Sequence, residues 1–291
     1  MIRLPNGKTA YKVGLHMHTK RSDGHLSYED TVAYYKSHGY DCVAVTDHWK
    51  WNDADNIDGT VVLSGAEFNI GGNNGGGEGV YHILGIGCEK EPACLQGDSA
   101  QTLIDKIHEA NGIAVLAHPA WSLNTPEMML ALDGVDMIEI YNTVSTAHES
   151  DRPYSGLLID MVASRGMIVP IHAADDSHYY DGTDSAISYV MAYADSGSAK
   201  DIKDALLAGN FYSTMGPYLD VKRTENGDIV IESSPVCKIA VHSNIVWANE
   251  HVTRGSSITS KVYTPKPGET FLRVEATDEE GRTAWSNIIR L

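Results

Sequence analysis

Short apolar runs recur along the first two-thirds of this chain, and one after another ends in a histidine or a carboxylate. The run before His16-Met17-His18 is followed by a polar loop through Asp23, a helical stretch, and a second apolar run ending in Thr46-Asp47-His48. Later runs end near Glu67, His118, Glu139, and Asp176 with His178. Apolar strands alternating with amphipathic helical stretches imply parallel β/α units. In a β/α barrel the C-terminal ends of the strands converge on one face, and that face carries the chemistry. Core histidines scattered by packing alone would not choose the same end of successive strands.

His16 and His18 lie two apart, so in an extended segment they point the same way. Neutral imidazole is the commonest metal-donating side chain. Mixed histidine and carboxylate donors suit first-row ions such as Zn²⁺, Mn²⁺ or Fe²⁺, and the thiolates of a structural zinc site are missing from the set. The four cysteines, Cys42, Cys88, Cys94 and Cys237, match no zinc ribbon or redox pair. They read as reduced structural thiols.

Ser27 with Asp30 has the form of a helix N-cap with an acidic first turn, and Gly39 that of a C-terminal stop. The stretch 98–112 places Leu103, Ile104 and Ile107 on one face and predicts a helix. Further helices are expected near 155–165 and 198–208. After Gly216-Pro217 the runs become short and alternating, with turn signals at Asn226-Gly227 and Pro267-Gly268. The expected organisation is an α/β barrel domain over 1–216 and a small antiparallel β-sandwich over 217–291.

A formal charge of −17 without a cluster of lysines and arginines argues against nucleic acid as a partner. No apolar run approaches the roughly 20 residues of a membrane-spanning helix. The N-terminal stretch has no signal-peptide core, so a cytoplasmic location and a small-molecule substrate are expected, with the oligomeric state left open.

The segments HMHTKRSDG (16–24), VTDH (45–48), GAE (65–67), HILG (82–85), AHP (117–119) and DDSH (175–178) carry a resemblance. In order and spacing they resemble the PHP (polymerase and histidinol phosphatase) superfamily of metal-dependent phosphoesterases. TDHW, AADDSH and a β-rich tail ending in AWSN are most similar to its CehA/McbA-like metallohydrolase branch. The resemblance implies a distorted seven-stranded, TIM-like β/α barrel with two or three divalent ions at the strand ends. It implies His16, His18, Glu67 and Asp176 around the first ion. Glu67 would bridge to a second ion completed by His82 and His118, and Asp23, His48 and His178 would hold a third. Asp23 stands where some relatives have histidine, and Asp175 competes with Asp176. A carboxylate such as Glu67 can bridge cations about 3.5–4 Å apart, and such a pair activates water and stabilises charge on attacking and leaving oxygens. The implied activity is hydrolysis of a small phosphate ester, with ester or carbamate hydrolysis by the same fold, or a vestigial metal-binding module, as alternatives.

The neighbours of these residues have two readings each. Besides Glu67, the catalytic candidates are Asp47, as proton acceptor or orienter of His48, and Arg21, whose planar guanidinium suits phosphate oxygens. Each could equally be a local structural group. Glu139 reads as orienting a ligand or a catalytic water, or as making a structural hydrogen bond. His82 is a ligand or a core histidine, and His172 a buried neighbour. Trp49, Trp51 and Trp121 either wall the pocket or fill the rim. The glycine run 69–79 lacks the Lys-Ser/Thr of a P-loop and reads as a rim, lid or connector.

Overall fold

The computed structural model describes residues 1–71 and 80–291. The strand Thr9–Gly14 pairs in parallel with Cys42–Ala44, and that strand in parallel with Thr60–Leu63. Tyr189–Ala192 lies antiparallel on the other side of Thr9–Gly14. A second sheet runs in spatial order Gly65–Ile70, Tyr81–Ile86, Ile113–Leu116, Met137–Asn142, Ile171–Ala174.

Uniformly parallel pairing, as the sequence suggested, is not what forms. The last three strands of the second sheet are parallel, whereas Tyr81–Ile86 runs antiparallel to both of its neighbours, Gly65–Ile70 and Ile113–Leu116. Only residues 71–80 separate Gly65–Ile70 from Tyr81–Ile86, and parallel neighbours need a crossover of about a dozen residues or more. The antiparallel pairing matters for the site. It brings the start of Tyr81–Ile86 to the face where the neighbouring strands end, so His82 arrives there from the beginning of its strand.

Capping chemistry places the helices. Tyr28–Ser37 starts where the Ser27 side chain accepts from the Asp30 N–H, and Ala100–Glu109 where Ser99 accepts from Thr102 N–H. Such a cap contributes about 1 kcal/mol. Ala100–Glu109 buries Leu103, Ile104 and Ile107, each contributing about 1.5–3 kcal/mol. Gly156–Ala163 and Ala199–Leu207 occupy the other two expected positions. Two short helices, Pro126–Leu130 and Val144–Ala147, were not legible in the sequence. Among the described residues no helix is long and apolar enough to cross a membrane.

Val13, Leu15 and Leu63 from the first sheet share one buried cluster with Leu84, Val115 and Met137 from the second. The two sheets therefore enclose a common core, and the donor residues rim one end of it. The tail forms antiparallel strands from Leu219–Arg223 to Ile289–Arg290. It is hydrogen-bonded into the rest of the chain: Thr283–Trp285 pairs with Phe211–Thr214, which pairs with Tyr189–Ala192. Trp285 is buried in a core cluster of the α/β part and stacks on Tyr141 at 5.2 Å.

Candidate metal centre

The predicted metal ligands, distant along the chain, come together at that rim. Four donor atoms face one point. His16 Nε2 lies 3.2 Å from Glu67 Oε2 and 3.1 Å from Asp176 Oδ1. His18 Nε2 lies 3.1 Å and 3.0 Å from the same two oxygens, and 3.3 Å from His16 Nε2. Ligands held at about 2.0–2.2 Å from one ion stand about 3.0–3.6 Å from each other, so this spacing is that of a coordination shell. The other Glu67 oxygen, Oε1, faces His82 Nδ1 at 2.5 Å and His118 Nε2 at 3.4 Å. One carboxylate thus divides its oxygens between two donor groups. Asp23 Oδ1 lies 3.6 Å from His178 Nε2 and its Oδ2 3.7 Å from His48 Nε2, closing a third, more exposed group that also takes in His18. His48 does more than expected, because its Nδ1 also reaches Glu67 Oε2 at 3.3 Å.

Backbone conformation aims these side chains. Asp176, His118 and Trp49, all in or beside the ligand motifs, sit at φ of 56°, 26° and 54°. A left-handed non-glycine residue costs about 1–3 kcal/mol, and such strain gathers where function over-determines geometry. Extended alternation therefore does not explain how Asp176 and His178 both reach the site. The turn at Asp176 instead separates it from Asp175, whose carboxylate accepts the Ile187 and Ser188 N–H groups and the Tyr35 hydroxyl. Burial pushes the Asp175 carboxyl up to about 6. Of the two competing aspartates, only Asp176 faces the imidazoles.

Electrostatics and hydrogen bonding support a cation here. Burial alone would raise the Glu67 and Asp176 carboxyls, yet the surrounding imidazoles hold both well below the usual carboxylate range. Burial likewise opposes charge on His16, but Asp176, Glu67 and Glu139 push it up to about 10. Buried carboxylates and imidazoles in this arrangement demand positive charge, which divalent ions supply. Asp176 Oδ1 and His48 Nδ1 are buried and without a hydrogen-bond partner, aimed where an ion would sit. The donor set and these orphaned atoms fit divalent metal ions.

Supporting groups fix the donors. His16 Nδ1–H donates to Glu139 Oε1 at 3.1 Å, leaving Nε2 for the site. Glu139 Oε2 accepts the His118 backbone N–H and the Asn142 amide, and the same Asn142 amide donates to Asp176 Oδ2. His178 Nδ1–H donates to the Asp176 carbonyl at 2.7 Å. Asn142 was missed in the sequence, although it stands at the end of a strand like the ligands themselves.

Other candidates are placed elsewhere. Asp47 is fully buried, and its oxygens accept from Thr19 N, Thr19 Oγ1, Ser22 Oγ and Asn52 Nδ2, none of them a donor of the site. It pins the loop carrying Asp23, a loop whose tight return at Gly24 leaves no room for a Cβ against the His18 carbonyl. Arg21 is exposed and its guanidinium donates to Asn52 Oδ1. Trp49 and Trp51 bond to Asn69 and Asp53. Only Trp121 walls the cavity of about 180 Å³ over the cluster, with Val144, Ser145 and Glu149. His172 is buried with both ring nitrogens unpartnered, and burial takes its pKa down to about 4. The rim or lid reading of the glycine run rests mainly on 72–79, which lie outside the described residues.

No family model matches the chain, and no curated protein does. Among solved structures, it is similar to a two-domain protein from Bacteroides vulgatus ATCC 8482 that contains a predicted PHP-like metal-dependent phosphoesterase. That likeness covers 98% of this chain and 96% of the other at 14% identity, with a TM-score of 0.56. An amidohydrolase from Chromobacterium violaceum aligns over 59% of this chain and 89% of its own, at 16% identity and a TM-score of 0.42. A lesion-specific endonuclease from Pyrococcus furiosus aligns over 69% and 56%, at 13% identity and a TM-score of 0.45. The first likeness shows a shared fold across both parts of the chain; the other two are too remote to add to it.

Proposed function

We propose that this protein is a metal-dependent hydrolase of small phosphate esters, a PHP-type enzyme built as a distorted β/α barrel over 1–216 with an accessory β unit over 217–291. The observation that carries the reading is the donor shell of His16, His18, Glu67 and Asp176, with the second Glu67 oxygen turned to His82 and His118. Zn²⁺, Mn²⁺ or Fe²⁺ held there would lower the pKa of water and neutralise charge on the ester oxygens. The chain's own part is positioning. Glu139 keeps the His16 ring turned inward, Asn142 ties Glu139 to Asp176, and Trp121 lies edge-on to the His82 and His118 rings and screens them from solvent. Asp23, His48 and His178 form the open side from which a phosphate would be met. Four free cysteines accord with a reducing, cytoplasmic setting.

Glu67→Gln keeps the shape and removes the bridging charge. Bound metal is expected to fall by at least one equivalent by elemental analysis, and phosphatase turnover by about 10³-fold or more, with circular dichroism unchanged. Full activity in this variant would reject the mechanism. Ester or carbamate hydrolysis remains a second reading, favoured by one observation: among the described residues no lysine or arginine lines the cavity. A screen of phosphomonoesters, cyclic phosphodiesters and aryl carbamates separates the two.

A further inference from the structure

The cavity wall beyond the metal donors is built from Trp121, Val144, Ser145 and Glu149. We propose that Glu149 and Trp121 select phosphoesters whose alcohol part carries an ammonium or similar cationic group; the inference rests on the phosphoester reading of the same site. Glu149 is exposed at the rim, and among the described residues its carboxylate has one hydrogen-bond partner, the Trp121 indole N–H at 3.1 Å, and no cationic one. The indole is held in place: its ring makes T-shaped contacts with His82 at 5.3 Å and with His118 at 4.9 Å. The segment bearing Glu149 is anchored by its neighbour His148, which stacks on Tyr179 at 3.9 Å and reaches Thr183 Oγ1 at 2.8 Å.

A substrate bound with its phosphate at the metals extends past this pair. A carboxylate with free lone pairs beside an indole attracts a cation, the carboxylate through a charge-assisted hydrogen bond and the π system by its electron density. A second anionic group on the alcohol would meet Glu149, and among the described residues no lysine or arginine lines the cavity to offset it.

The test measures binding without turnover. Protein loaded with Mn²⁺ is titrated calorimetrically with 2-aminoethylphosphonate and with propylphosphonate, which differ in a terminal NH₃⁺ against CH₃. The amino compound is expected to bind about tenfold tighter or better. In Glu149→Gln the ratio of the two affinities falls toward one, and in Glu149→Lys it inverts. Equal affinities in the native protein, or a preference that survives Glu149→Gln, would overturn the inference while leaving the phosphoester reading standing. Failure of both phosphonates to bind would overturn that reading and this inference with it.

Discussion

Asp47 neighbours His48 in the chain yet spends its carboxylate on Thr19, Ser22 and Asn52. Its burial and its four donors make it a clamp on the loop that presents Asp23. Asp47→Ala would strand buried donors at about 1–3 kcal/mol each. The expected result is a lower melting temperature and loss of metal from the Asp23 group, with the buried His16, His18, Glu67 and Asp176 group still loaded. If metal content and stability were unchanged while turnover vanished, Asp47 would be a proton-transfer group after all. At this scale the sequence revealed the donors better than their helpers. A histidine or carboxylate at a strand end announces itself, whereas the orientation of Asp47, Arg21 or Asn142 depends on partners from other segments.

Among elements, the contact between Gly156–Ala163 and Phe271–Thr277 holds the tail to the α/β part. Arg273, only 1% exposed, gives Asp160 two hydrogen bonds of 2.6 and 2.7 Å, and donates to Glu275 at 2.5 Å. Burial would raise the Glu275 carboxyl, but His242, Arg273 and Tyr154 hold it well below its usual range. A depressed folded pKa contributes stability above the unfolded value of about 4.3 and loses it as pH falls further. Arg273→Met takes the guanidinium away from buried Glu275 and half-buried Asp160 at neutral pH, at a cost of about 3 kcal/mol. Denaturant titrations should show that gap at pH 7 and a smaller one at pH 3.5, where Glu275 in the variant binds a proton and native Glu275 begins to lose its advantage. A gap that widens on acidification would contradict the ion-pair account. The helices themselves were legible from Ser27, Ser99 and their apolar faces, because caps and periodicity are local.

For the molecule as a whole, the tail acts as a cap. Its Thr283–Trp285 strand covers the edge of Phe211–Thr214, and Trp285 enters the α/β core beside Tyr141. Deleting residues 218–291 would bare that strand edge and a hydrophobic pocket, so the truncated chain is expected in the insoluble fraction. A soluble truncation that keeps its metals would show instead that the tail is a separable module.

The spacing of donors and apolar runs told, from the chain alone, of a mixed α/β protein gathering histidines and carboxylates at one rim, because strand periodicity and residue chemistry are written locally. Three features waited for the tertiary structure. The antiparallel run of Tyr81–Ile86 brings His82 to the rim from the start of its strand, the left-handed turn at Asp176 chooses it over Asp175, and the hydrogen bonds that Asp47 accepts from Thr19 and Asn52 and that Arg21 donates to Asn52 turn both away from the donor cluster. Each depends on contacts between segments far apart in sequence, where pairing direction and competition for hydrogen bonds are settled only once the chain has closed on itself.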